Sequence, residues 1–582
     1  MQGNLIGVQG DGSGALTNRL GVLIKQNAFN NPIGGANAGE GNVIAHNAHE
    51  GVTIADNGTG NAIRGNNIFS NGSLGIDLGA NGVTANDAGN DADTGPNNLQ
   101  NFPVITSVTQ NGSSTVINAR LNTAPGDYTI DLFSNTARDV SGNDEGQTYL
   151  TSQPITVLAS GIRDFSVTRP GTISDFFSMT ATRNAAPFDT SEFSVGVRAP
   201  QIFEVNSTAG DVDTGGCQVL TTSTDCTLRE AIEAANRNIG ADIINFEIPG
   251  TGVRTISVNP ALPIIIGPVV IDGSSQSGFA GIPLIFLSGA SITGGADGIR
   301  LNASNSTIKN LAIGNFTGSG INIGFNQTGN KVEGCFIGTN AAGTEAAPNG
   351  TGIQLSSVGH TIGGVLTGQG NLISGNRGRG ISDVGDGNVT TVGNTILANT
   401  VGLNLGRTAP IPNNEGIVIS SRFKTVVGSL TFGGNFISGN TRTGISVTGN
   451  FNATTPDGIV IEDNQIGGNA ANDFGNGGDG VFIGGRGCLV YSNTIVGNTG
   501  NGINLFLATQ NSIQRNDIGL PGVGNDGVGV FLNNGAKNNV IGGTAADIDP
   551  VPEGNLITAN GGGGVHVFSN SNGDAIGNTI RG

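Results

Sequence analysis

Short apolar pulses recur along this chain, each four residues long and each opened by glycine. Gly458-Ile-Val-Ile461, Gly480-Val-Phe-Ile483 and Gly502-Ile-Asn-Leu505 begin 22 residues apart. Positions two and four of each pulse are apolar, the period of a strand rather than of a helix. Ile459 and Ile461, Val481 and Ile483, and Ile503 and Leu505 face one way; Val460, Phe482 and Asn504 face the other. A strand this short cannot bury its apolar face alone. Stacked in register on its copy in the next coil, about 4.8 Å away, it adds to an apolar column inside a tube. A fixed period of this length predicts a solenoid. Gly and Asn are expected at its corners, where left-handed backbone is needed.

The same pulses occupy residues 1 to about 80 (Gly21-Val-Leu-Ile24, Gly51-Val-Thr-Ile54, Gly75-Ile-Asp-Leu78). They resume at Gly298-Ile-Arg-Leu301 and Gly320-Ile-Asn-Ile323 and run to Gly564-Val-His-Val567. A longer module, Ile33-Gly-Gly followed by Gly41-Asn-Val-Ile44, returns at Ile362 with Gly370 and at Ile541 with Gly554. Such inserts lengthen one corner of some coils and gather on one face of a solenoid.

Between the two solenoid stretches the pattern changes. Residues 80–100 have neither period. From 101 to 200 the glycine content falls and longer alternating strands appear, such as Ile117/Ala119/Leu121, Tyr128/Ile130/Leu132 and Phe177/Met179/Ala181, separated by turn signals. Roughly seven strands in a hundred residues predict an immunoglobulin-like β-sandwich. The expected organisation is therefore all-β: solenoid over 1–99, sandwich over 100–200, and solenoid over 201–582.

One helix interrupts this. Leu228, Ile232 and Ala235 share a helical face, and Thr227 with Glu230 forms a capping box. An amphipathic helix near 227–237 is the expected lid for an open solenoid end. Cys226-Thr-Leu-Arg-Glu-Ala-Ile232 resembles the Cys-Ser-Leu-Arg-Glu-Ala motif that opens a group of secreted, mostly bacterial, right-handed parallel β-helix proteins, with Thr227 in place of Ser. The segment Gly95-Pro-Asn-Asn-Leu-Gln-Asn-Phe-Pro103 is also similar to that group, where it joins a β-helix to a sandwich. The resemblance implies a right-handed parallel β-helix in a large surface protein and assigns no reaction.

Composition narrows the function. The 100 glycines do not recur every third residue, which excludes collagen. A net charge of −18 disfavours nucleic acid and anionic membrane surfaces, and no apolar run reaches membrane-spanning length. Cys217 and Cys226, flanked by turn residues, predict a disulfide and an oxidising, extracellular or cell-surface location. Cys335 and Cys488 read as small packing residues.

No pectin-hydrolase signature is present, and the absence of Trp weighs against sugar stacking. The densest charged corner, Arg377, Arg379, Asp383 and Asp386, is the candidate for a polysaccharide-binding face. The four histidines lack zinc spacing. Asp87, Asp91 and Asp93 offer hard oxygens at short intervals in a glycine-containing loop and are the candidate Ca²⁺ ligands. The chain begins and ends in mid-pulse: Asn578-Thr-Ile-Arg-Gly582 joined to Asn4-Leu-Ile-Gly7 reproduces a complete unit. The expectation is thus a non-enzymatic extracellular structural or adhesive rod, its copies stacked end to end either within one longer tandem chain or between separate chains. The alternative is a carbohydrate-active or carbohydrate-binding β-helix.

Overall fold

The computed structural model describes residues 1–582 except 13, 88–90, 112–113, 140, 142, 172–174, 211–216, 218–224, 238–239, 386–391, 421–423, 449–457, 469–473, 544–552, 570–573 and 582. The chain divides into two units, Met1–Pro200 and Gln201–Gly582.

The second unit is a parallel β-helix. Among the described residues its strands form three long sheets. Sheet A has 13 strands from Ile202–Val205 to Thr579–Ile580, sheet B has 11 from Arg254–Ser257 to Leu556–Ile557, and sheet C has 10 from Ile299–Leu301 to Val565–Val567. Every pairing in them is parallel, each strand on its counterpart one coil away. The inward positions form one continuous core. In sheet C the column runs Ile299, Ile321, Ile353, Ile381, Ile417 and Ile445, each fully buried or nearly so.

Coil length is variable. Equivalent asparagines lie 22 residues apart between Asn476 and Asn498 but 37 apart between Asn376 and Asn413. The equal spacing of the three leading pulses is therefore partly a coincidence. Val481 does pair with Ile503 in sheet C, but Val460 lies in sheet A, between Val426 and Leu489.

Two glycine and asparagine roles differ from the corner expectation. The glycines opening the sheet C pulses, apart from Gly564 in the last coil, are required by close approach of coils: a Cβ on Gly352 would sit 2.3 Å from the Gly380 carbonyl oxygen and 2.8 Å from Ile373 Cγ2. The buried asparagines form ladders. Asn371, Asn399, Asn435, Asn464, Asn493 and Asn516 each donate the side-chain amide to the Oδ1 of the next, at 2.8–2.9 Å. A second ladder runs Asn376, Asn413, Asn440, Asn476, Asn498, Asn525. None of these residues has a positive φ. The amides satisfy backbone groups that the turning chain leaves buried, which otherwise carry a large desolvation cost. Cys335 stands at the head of the first ladder and Cys488 at the head of a third, Asn511, Asn539 and Asn578, their backbone N–H groups donating to Asn371 and Asn511.

At the start of this unit the helix Leu228–Arg237 buries Leu228, Ala231, Ile232 and Ala235 in one core with Phe203, Val205 and Ile244. Its capping box is present: Thr227 N–H donates to Glu230 Oε2 at 2.9 Å, and Glu230 N–H to Thr227 Oγ1 at 3.2 Å. Cys217 and Cys226 are disulfide-bonded immediately before it.

The first unit contains a short parallel β-helix and two three-stranded antiparallel sheets. The sheets are Val104–Asn111, Ser114–Asn122 and Ile162–Pro170, and Gly126–Asn135, Thr148–Val157 and Phe176–Arg183. They share a core of Ile117, Leu121, Tyr128, Leu132, Phe177 and Met179. That is a sandwich of six described strands. The alternating apolar residues Phe193, Val195 and Val197 form no described strand beyond an isolated bridge between Val197 and Phe177, and an immunoglobulin topology is not established. The sandwich closes the short helix: Phe133 and Phe193 enter its core, and Gly146 pairs with Ile68 of its last coil.

Candidate functional site

The outward positions of sheet C form the most varied ladder in the second unit. In register, coil by coil, they read Arg300, Asn322, Gln354, Ser382, Val418, Ser446, Phe482, Asn504, Phe531 and His566. The side chains at the two ends of this series are exposed or half-buried, whereas Ser382, Val418 and Ser446 are buried.

The later coils are aromatic. Phe482 and Phe506 lie with ring centroids 6.1 Å apart, and Phe531 and Phe568 6.4 Å apart. Between Phe482 and Phe531 sits Asn504, whose Nδ2 donates to Asp479 Oδ2 at 2.9 Å. Its Oδ1 is buried and accepts no hydrogen bond among the described residues. Asp479 also accepts from the backbone and side chain of Asn501, each at 2.8 Å, so a carboxylate fixes the polar residues between the rings. A row of aromatic rings held on successive coils can stack on the apolar faces of sugar rings. Tryptophan is absent, but phenylalanine supplies the platforms.

The earlier coils are charged. Arg379 and Glu415 are outward neighbours on adjacent strands, with Nε to Oε2 at 3.6 Å, and Arg379 also donates to Ser382 Oγ at 3.1 Å. Arg377 instead donates to the Pro348 carbonyl at 3.0 Å. Asp383 is not on this face. It fills an inward position between Leu355 and Ile419, is fully buried, and accepts from Asn394 Nδ2 at 3.1 Å and Thr425 Oγ1 at 2.7 Å. The expected four-residue charged face is thus corrected to Arg379 with Glu415, and Asp386 lies outside the described residues. Nearby, His360 bonds Ser357 Oγ through Nε2 at 2.9 Å. Burial lowers its pKa to about 4, which keeps it a neutral structural group.

In the first unit, Asp87, Asp91 and Asp93 bring carboxylate oxygens within 4.8 Å of one another. Asp91 Oδ2 accepts from Thr123 Oγ1 at 2.7 Å and Gln100 Nε2 at 2.9 Å. Asp91 Oδ1 and Asp93 Oδ1 are buried without a partner among the described residues. Burial, reinforced by the neighbouring carboxylates, pushes the Asp91 pKa up to about 6 and raises that of Asp93. Hard oxygens lacking donors fit a hard cation.

Residues 406–580 match the family described as periplasmic copper-binding protein (NosD). The matched segment contains one histidine, His566, one cysteine, the buried Cys488, and no methionine. That donor set does not suit copper. No curated protein matches the sequence. Among solved structures, the A-module of the Azotobacter vinelandii mannuronan C-5 epimerase AlgE4 is 13% identical, with 61% of this chain and 95% of that chain covered and a TM-score of 0.34. The periplasmic alginate epimerase AlgG gives 13%, 66%, 86% and 0.34, and the pectate lyase Pel9A 13%, 65%, 80% and 0.28. These similarities concern the parallel β-helix and nothing finer. These β-helices are nevertheless enzymes, and the expectation of a chain without a reaction is corrected accordingly.

Among the described residues, no helix is long and apolar enough to cross a membrane.

Proposed function

We propose that the second unit is a carbohydrate-active β-helix that takes an extended polysaccharide along the outer face of sheet C. The observation that carries this reading is the aromatic ladder. Phe482, Phe506, Phe531 and Phe568 fall on successive coils, with Asn504 braced between them. Coils repeat at about the strand spacing of 4.8 Å, close to the length of a sugar residue, so successive rings of one polymer would meet successive coils. Arg379 and Glu415 supply a guanidinium and a carboxylate on adjacent coils of the same face. In this reading Glu415 moves a proton as general acid or base and Arg379 orients it. Affinity electrophoresis against a panel of polysaccharides tests the grip: Phe482→Ala with Phe531→Ala should abolish retardation. Assays for new reducing ends or unsaturated products test the reaction, which Glu415→Gln should stop without weakening binding. Unchanged retardation in the double variant would remove the basis of the reading.

Asp87, Asp91 and Asp93 would hold Ca²⁺ in this account, replacing the missing donors at Asp91 Oδ1 and Asp93 Oδ1 and fixing the loop beside the sandwich. An extracytoplasmic location, periplasmic or extracellular, is supported by the Cys217–Cys226 disulfide and by the description of the matching family.

A further inference from the structure

A cavity lies over sheet B, on a different face from the aromatic ladder. It has a volume of about 400 Å³. Its floor includes Phe336, Leu372 and Thr400, consecutive outward residues of that sheet. Its walls come from the loops that lengthen particular coils, with Leu366, Leu405 and Phe432 at the rim. These three are 67%, 42% and 56% exposed, a cost the fold bears without any described residue covering them.

Arg407 gives the cavity its polarity. Its guanidinium stacks on the ring of Phe436, 3.4 Å from the centroid, and its Nε donates to Thr400 Oγ1 at 3.1 Å. The two terminal nitrogens have no carboxylate partner among the described residues. Burial lowers the pKa of this group, as expected for a cation taken partly out of water without a counter-charge. A planar guanidinium pinned on an aromatic face, with its fork free, is the arrangement that receives a carboxylate through two parallel bonds.

We infer that this cavity binds a single uronic acid residue of an otherwise neutral glycan, with the carboxylate on Arg407 and the apolar face of the ring against Leu405 and Phe432. The inference rests on the carbohydrate reading of sheet C. One guanidinium answers one carboxylate, and the net charge of −18 opposes a densely anionic polymer. The mixture of the Thr400 and Thr367 hydroxyls with apolar groups in the lining suits a hydroxylated ring better than an alkyl chain.

The test is calorimetry on the full chain with neutral oligosaccharides, their single-glucuronate counterparts and decanoate. The uronate-bearing forms should bind wild type at least about tenfold more tightly, the scale of a charge-assisted pair. Arg407→Gln should remove that margin and leave neutral binding intact. Phe432→Ser, at an exposed site, should weaken the uronate forms while melting normally. Equal affinity for neutral and uronate forms, unchanged in Arg407→Gln, would overturn the inference and leave the carbohydrate reading standing. Decanoate binding that depends on Arg407, with no oligosaccharide bound, would overturn both.

Discussion

The coils of the second unit carry two kinds of ladder at the same spacing, one inside and one outside. The inner ladder repeats a single residue: Asn399, Asn435, Asn464 and Asn493 perform the same bonds in coil after coil. The outer ladder of sheet C keeps to no single residue, passing from Arg300 through Gln354 to Phe482 and Phe531. Packing and buried hydrogen bonds therefore constrain the interior to one solution, while the exterior is left to recognition. The first unit shows a third arrangement. Its ladder Asn18–Asn47–Asn71 ends on a carboxylate, with Glu145 Oε1 accepting from Asn71 Nδ2 at 2.9 Å.

The largest effect is expected from breaking the inner ladder. Asn435→Leu strands the buried backbone N–H of Asn399, removes one acceptor of the Asn399 side-chain amide and one donor to the Ile396 carbonyl, and sets a branched apolar side chain in a polar ladder. A loss of about 3–5 kcal/mol follows, measurable by chemical denaturation. A change below about 1 kcal/mol would show that the ladders are ornamental.

Next comes the carboxylate closure of the first unit. Glu145 and Glu192 are both pushed up to about 7, chiefly by burial, and Glu192 accepts from the backbone of Leu78 and Thr84, each at 2.9 Å. At acid pH both groups are protonated, folded or unfolded. As pH rises past about 4.5 the unfolded chain ionises first, so stability falls, and the loss is complete above about 7. Each group contributes at most about 3 kcal/mol of this change. Melting the isolated first unit (residues 1–200) from pH 4.5 to 8 should show the decline, and Glu145→Gln with Glu192→Gln should flatten it. A transition that rises over that window would reverse the assignment.

Calcium is the smallest effect. With Ca²⁺ at 100 times its dissociation constant, about 2.7 kcal/mol is added to the first unit, and less at lower excess. Asp91→Asn with Asp93→Asn should melt identically with and without chelator. A chelator shift that survives in that variant would place the ion elsewhere.

Much of this architecture was legible in the sequence, because strand alternation and the Gly-Asn pulses are local signals. The helix and its capping box were readable for the same reason, and the disulfide followed from turn-flanked cysteines. Asp383 shows a signal present but not followed. Gly380-Ile-Ser-Asp383 has aspartate at the fourth, inward position of a pulse, so the alternation itself puts Asp383 in the core. The asparagine ladders could not be told from corner residues, since a left-handed Asn310 and a ladder Asn371 look alike until the coils are stacked. The pairing of Arg379 with Glu415 and the cavity at Arg407 were hidden because variable coil lengths conceal which residues become neighbours.

The aromatic ladder bears the central claim, and it is tested most directly by polysaccharide retardation of wild type beside Phe482→Ala with Phe531→Ala. Both rings are partly exposed on the outer face, so the double variant should keep its melting temperature to within a few degrees while affinity falls at least about tenfold. Retardation equal to wild type in a fully folded double variant would contradict the account.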